Sequence, residues 1–121
     1  MSKVMIVDDS LYMRNHLAKV LGEHGYDTLL AENGVEAVST YRAARPDVVL
    51  MDITMPQMNG LDALAEIRQF DLRAKVIILT ALDQQLVAAR AVHMGAKDFL
   101  VKPVPASRLL ITIQKVLRSS A

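Results

Sequence analysis

The stretch VVLMDITMPQMNG, residues 48–60, joins an apolar run to a charge. Val48 to Met51 are apolar without alternation. Such a run indicates a strand covered on both faces, as in a parallel sheet. The next residue is Asp52. A carboxylate at the end of a buried strand costs free energy unless a neighbour favours its charge.

Two further runs resemble this one: VMIV at 4–7 and VIIL at 76–79. TLLA at 28–31 and DFLV at 98–101 are weaker strand candidates. Helical stripes fill the gaps. They are Met13, Leu17, Val20 and Leu21; Val35, Val38 and Tyr41; Leu61, Leu64 and Ala65; Val87, Ala91 and Met94; and Leu109, Ile113, Val116 and Leu117. Asn33 and Glu36 have capping-box spacing, Gly95 is placed to end the fourth helix, and Pro105 suits the first turn of the fifth. Strand and helix alternate five times with short connections. That pattern predicts an α/β fold, a doubly wound five-stranded parallel sheet with helices on both faces.

The 121 residues make one ordinary domain. A hydrophobic content of 52% with 22% charged residues suits a packed core and argues against disorder. The net charge of +1 and scattered basic residues give no clustered basic face, so no direct nucleic-acid partner is expected. The absence of cysteine excludes disulfide and thiol chemistry. Only four apolar residues separate Lys3 from Asp8, too few for a secretory signal, and no apolar run approaches a membrane span. A cytoplasmic protein with no membrane insertion is expected.

In open parallel sheets the ligand crevice lies beyond the carboxyl ends of the strands. Those ends carry Asp8 and Asp9, Asp52, Thr80 and Lys102. In the strand order 2-1-3-4-5 the first and third strands are neighbours, so three carboxylates share one pocket with a hydroxyl and an ammonium. Two carboxylates about 4 Å apart repel by about 4 kcal/mol at an effective dielectric near 20. That is about three pKa units. A divalent cation removes the conflict, and all-oxygen carboxylate ligands suit Mg²⁺. Each residue also has an ordinary structural explanation. Asp9 or Ser10 can cap the first helix, Thr80 or Asp83 the fourth, and Lys102 can be a solvated lysine. Asp52 is harder to explain that way, because Met51 before it should be buried.

With VDDS at 7–10, MDITMPQMNG at 51–60, LTA at 79–81 and GAKDFLVKP at 95–103, the chain resembles the receiver domain of two-component response regulators, closest in kind to single-domain chemotaxis-type regulators. The resemblance implies a flavodoxin-like fold with sheet order 2-1-3-4-5 and five helices. It implies that Asp52 is the phosphoacceptor, that Asp9 ligates Mg²⁺ directly and Asp8 through water, and that the backbone carbonyl of Thr54 is a further ligand. It makes Lys102 the partner of the phosphoryl group and Thr80 its hydrogen-bond donor. Phe99 falls at the aromatic switch position, and the Lys102–Pro103 peptide is expected to be cis. The implied partners are a histidine kinase or phosphotransfer protein, or a small phosphodonor, and a downstream protein target. That target would meet the face of helix 4, strand 5 and helix 5. The implied chemistry is confined to the domain's own phosphorylation and dephosphorylation, so no enzyme acting on a separate substrate is expected.

Phe99 lacks the hydroxyl of the tyrosine common at that position, and Thr54 and Leu82 occupy positions that tune phosphoryl loss in the family. A nucleotide or flavin binder would want a glycine- or hydroxyl-rich loop after the first strand, where this chain has Asp8 and Asp9. A haloacid-dehalogenase-type phosphatase would want a carboxylate where Thr54 stands. Within the family, residues 1–121 are expected to be a standalone receiver. The alternatives are a receiver cut from a regulator with a DNA-binding or enzymatic output, and a phosphorelay or phosphate-sink protein.

Overall fold

The computed structural model describes residues 2–119; Met1, Ser120 and Ala121 of the expected 1–121 domain lie outside the described residues. Five strands, β1 (Lys3–Val7), β2 (Asp27–Ala31), β3 (Val48–Asp52), β4 (Val76–Thr80) and β5 (Asp98–Val101), alternate with five helices. These are α1 (Leu11–Glu23), α2 (Gly34–Ala44), α3 (Gly60–Phe70), α4 (Gln85–His93) and α5 (Ala106–Arg118), with a 3₁₀ turn at Leu82–Gln84 before α4. All strand pairs are parallel and the order is β2-β1-β3-β4-β5, the expected doubly wound, flavodoxin-like arrangement.

Successive strand residues point to opposite faces, so a strand covered on both sides must be apolar throughout. Met5, Val49, Met51, Val76 and Ile78 enter one core, under α2, α3 and α4. Val4, Ile6, Leu50, Ile77 and Leu79 enter the other, under α1 and α5. Full burial of each such side chain contributes about 1.5–3 kcal/mol. The edge strands β2 and β5 are only partly covered, which is why their runs are weaker in the sequence.

Register places the strand ends. Val7 pairs with Met51, which brings Asp8 level with Asp52. Asp52 pairs with Leu79 and Thr80 with Val101, so Thr80 lies one step and Lys102 two steps further along the same edge.

Two expectations need correction. Val35 is 51% exposed, and the inner face of α2 is formed by Gly34, Ala37, Val38 and Tyr41. The helix approaches closely there: a β-carbon on Gly34 would lie 2.3 Å from the Met58 carbonyl oxygen. A valine at position 34 would not fit, so the bulky residue is turned outward. Pro105 is the N-cap of α5 and not part of its first turn. Asn33 caps α2 by accepting the Glu36 amide at 2.8 Å, and Gly95 ends α4 at a φ of 110°, both as expected.

Gly60 opens α3 with its amide donating to Ile53 at 2.8 Å. A β-carbon there would lie 2.2 Å from the Asp52 carbonyl oxygen. Gly22 in α1 has open space around it. Gly60→Ala should therefore lower the melting temperature, because backbone must move. Gly22→Ala should raise stability by about 0.5–1 kcal/mol. Chemical denaturation of the two variants checks the contrast, and equal effects would contradict the packing described.

Candidate functional site

Each group at the strand ends is held by its own local bonds. The Asp8 amide continues the ladder by donating to the Ala31 carbonyl at 3.1 Å. Its Oδ1 accepts the Ser10 amide at 2.9 Å, and its Oδ2 accepts Lys102 Nζ at 3.0 Å. Asp8 is buried, whereas Asp9 is exposed. Ser10 is the helix cap, its hydroxyl accepting the Met13 amide at 3.2 Å, so Asp9 is left free of that duty.

Asp52 is buried, with 7% of its surface exposed. Its Oδ1 accepts the Ile53 amide at 3.0 Å and lies 3.2 Å from Lys102 Nζ. Its Oδ2 accepts no hydrogen bond among the described residues. Lys102 is thus no freely solvated lysine: it bridges Asp8 and Asp52. Its backbone amide is fixed to the Thr80 carbonyl at 2.8 Å, and the Lys102–Pro103 peptide is cis, as expected.

Asp8, Asp9 and Asp52 each bring a carboxylate oxygen within 4.8 Å of the others. One ammonium, paired with Asp8 and Asp52, stands against three carboxylates. Burial is the largest effect on Asp52, raising its pKa. The charges of Asp8 and Asp9 add to it and Lys102 opposes it, leaving the group at about 6. Burial alone would lower the pKa of Lys102, but its hydrogen bond to Asp8 and the charges of Asp52 and Asp8 outweigh that, and the net shift is upward. The lysine therefore stays charged.

The remaining sequence-selected residues divide. Thr80 is fully buried, but its hydroxyl donates to the Ala81 carbonyl at 3.1 Å, not to the aspartates. Neither Thr80 nor Asp83 caps α4: Ala81 and Gln84 precede the turn and the helix, without side-chain caps. Phe99 is half-buried on β5 and packs against the α4-side core. Thr54 is exposed, and its hydroxyl accepts a hydrogen bond from Gln84 Nε2 at 2.5 Å.

Sequence reading missed two contacts. Arg14 donates to the Asp8 carbonyl at 2.7 Å and lies 3.8 Å from Glu32, its side chain largely buried. The signal available was its place beside Met13 on the inward stripe of α1. The Gln84–Thr54 bond had no sequence signal, since it joins two polar loop residues 30 positions apart.

The family model for the response regulator receiver domain matches residues 4–114. The chain belongs to that family. The receiver is 45% identical to the chemotaxis protein CheY of Bacillus subtilis over 116 residues, covering 95% of this chain and 97% of that one. Among solved structures, it is 34% identical to a chain of the CheX-CheY-BeF3-Mg complex from Borrelia burgdorferi, with a TM-score of 0.92 over 98% of this chain and 90% of that one. It also matches NtrX of Brucella abortus with a TM-score of 0.92 and 28% identity, but spans only 27% of that longer chain. These relationships place the receiver in two-component signalling rather than among metabolic enzymes.

The donor set fits a hard divalent cation: three carboxylate oxygens converge, one of them exposed, with no nitrogen or sulfur donor among them. The electrostatic strain should be measurable without metal. Folded Asp52 holds its proton up to about pH 6, against about 4 for an unfolded aspartate. The folded state binds the extra proton between those values, so stability falls as pH rises through that window and levels off above it. In a chelator at about pH 7.5, Asp52→Asn should be more stable than the parent, by up to about 3 kcal/mol. The gap should close as pH falls toward 4. A gap independent of pH, measured by thermal melts, would contradict the charge crowding.

Proposed function

We propose that the chain is a phosphorylation-activated signalling switch, with Asp52 as phosphoacceptor. The observation that carries this is the pairing of a buried carboxylate having one unbonded oxygen with a lysine held 3.2 Å from the other. In the transfer, Asp52 Oδ2 attacks phosphorus and forms a new oxygen–phosphorus bond. The bond from phosphorus to the donor atom breaks, and its electron pair leaves with the donor. Lys102 neutralises charge on the transferred group, which is most of what phosphoryl transfer asks of a protein. Asp8, Asp9, Asp52 and the backbone carbonyl of Thr54 would hold Mg²⁺, which supplies further charge neutralisation when bound. The reaction uses up the carboxylate once per cycle, so the chain acts on itself and not on a turned-over substrate.

The phosphoryl group adds about −1.5 to −2 charges at one point. Thr80 is one step along the sheet edge and can turn its hydroxyl from Ala81 toward that charge. Phe99, paired in register beside Ile78, is free to pack more deeply as Thr80 moves. The face formed by α4, β5 and α5 then changes shape. A groove of about 310 Å³ beside Phe99, lined by Leu100, Val104, Pro105 and Arg108, offers a downstream protein a place to read that change.

The phosphodonor protein, a histidine kinase or a phosphotransfer protein, would approach over Tyr12 and Leu82. Both are more than 70% exposed and flank an apolar cavity that reaches Lys102. Exposed apolar groups clustered beside a reactive centre mark a protein-contact surface. No helix among the described residues is long and apolar enough to cross a membrane. A standalone regulator is the favoured reading. The match to a quarter of NtrX supports the alternative of a receiver within a larger regulator.

A small phosphodonor with Mg²⁺ should add one phosphoryl group, stable to acid and labile to base and hydroxylamine, located at Asp52 by mass spectrometry. Asp52→Asn should take up none. Uptake by that variant at the parental level would overturn the assignment. With beryllofluoride as phosphoryl mimic, backbone amide shifts should extend from Asp52 to residues 84–91 and to Phe99. Shifts confined to the aspartate pocket would replace the switch with a phosphorelay or phosphate-sink role.

A further inference from the structure

The start of α4 is anchored differently from those of α1, α2 and α3. Ser10, Asn33 and Asn59 cap α1, α2 and α3 with their own side chains. At α4 the N-cap residue is Gln84, and its side chain makes no cap. It reaches instead to the hydroxyl of Thr54 in the β3–α3 loop, at 2.5 Å. Among the described residues this is the one side-chain hydrogen bond joining the segment from Ala81 to Gln85 to another part of the chain. The only other side-chain bonds there are local, from Thr80 to Ala81 and from Gln85 to Leu82.

We propose that the Gln84–Thr54 hydrogen bond is a latch: it holds the start of α4 in its resting position against the loop that follows Asp52. The proposal rests on the switch reading above for its functional consequence, but its structural part stands without phosphorylation. When the Thr80 hydroxyl turns toward a phosphoryl group on Asp52, it gives up its bond to the Ala81 carbonyl, which frees the connection from Ala81 onward to shift. Gln84 belongs to that same rigid turn, its amide donating to the Ala81 carbonyl at 3.0 Å. A nitrogen–oxygen hydrogen bond is lost beyond about 3.5 Å. From the 2.5 Å seen here, a shift of the turn by about 1 Å or more breaks the latch. The resting state therefore keeps an interaction that the switched state gives up, and the bond's strength sets part of the switching equilibrium. Thr54 is well placed for this role, since the adjoining backbone is fixed at Asp52 and Ile53 by the close approach of Gly60.

The test uses Gln84→Ala, Thr54→Ala, the double variant and Thr54→Ser, which keeps a hydroxyl. The first readout is amide hydrogen exchange in the unliganded protein. Exchange at Ala88 and Ala89 should quicken by about two- to tenfold in either single alanine variant, the range of one net hydrogen bond. It should quicken no further in the double variant and stay near parental in Thr54→Ser. Thr54 lies on a different loop, so its effect on α4 cannot be a local one. The second readout is the beryllofluoride concentration that half-saturates the protein in Mg²⁺, which should fall by a similar factor in both single variants. Unchanged α4 exchange in Thr54→Ala, or additive effects in the double variant, would overturn the latch. Loosened exchange with unchanged or weaker beryllofluoride binding would show that the bond persists after switching, which also overturns it. Failure of the parent to bind beryllofluoride would count against the switch reading, while the exchange data would still decide whether the bond holds α4.

Discussion

One ammonium group is shared by carboxylates that outnumber it. Lys102 Nζ lies 3.0 Å from Asp8 and 3.2 Å from Asp52, with Asp9 completing the cluster. The arrangement is not an accident of flexible side chains. Parallel register puts Asp8 and Asp52 at the same level, and the Lys102 amide is tied to β4. The deficit of positive charge is built into the sheet. Removing Lys102 would leave buried charge without a partner, which costs far more than an exposed ion pair contributes. A hard cation at the open side of the cluster offsets the remaining repulsion. In the proposed function, an incoming phosphoryl group would then meet positive charge and not three bare carboxylates.

The consequences reach outward along the same sheet edge. Thr80 and Phe99 lie one strand and two strands beyond Asp52, and the 3₁₀ turn after Thr80 leads directly into α4. In the proposed switch, a change of charge at Asp52 would be relayed through the connecting turn, which is short, bonded within itself and tied to other parts of the chain by one side-chain hydrogen bond among the described residues. The core beneath is close-packed and apolar, so it resists deformation. In the proposed switch, motion would therefore be directed into the turn and the half-covered edge strand β5.

Much of this could be read from the residues. The three central strands were legible because burial on both faces forces an unbroken apolar run. Asp52 stood out because it ends such a run. The pocket followed from the rule that strand carboxyl ends form the crevice, and the register confirmed that Asp8, Asp9, Asp52 and Lys102 converge. What failed was the α2 face, where Val35 was read as inward. Close packing there demands small residues, and apolarity alone cannot distinguish a valine from the Gly34 and Ala37 that fit. Thr80 was read as a hydroxyl at the edge of the pocket; it stands there, and in this structure it bonds to the Ala81 carbonyl. Arg14 and the Gln84–Thr54 bond were not legible, because long-range polar pairing leaves no periodicity in a single chain.

Asp52 is buried in an excess of negative charge, which a bound metal would relieve. The most direct measurement is the titration of its side-chain carboxyl carbon by NMR, with and without Mg²⁺. Without metal the group should titrate near pH 6. With millimolar Mg²⁺ the midpoint should move down, toward or below that of an ordinary aspartate, because the cation favours the ionised form. A midpoint already in the ordinary range and unmoved by Mg²⁺ would contradict the shared pocket and the cation site together.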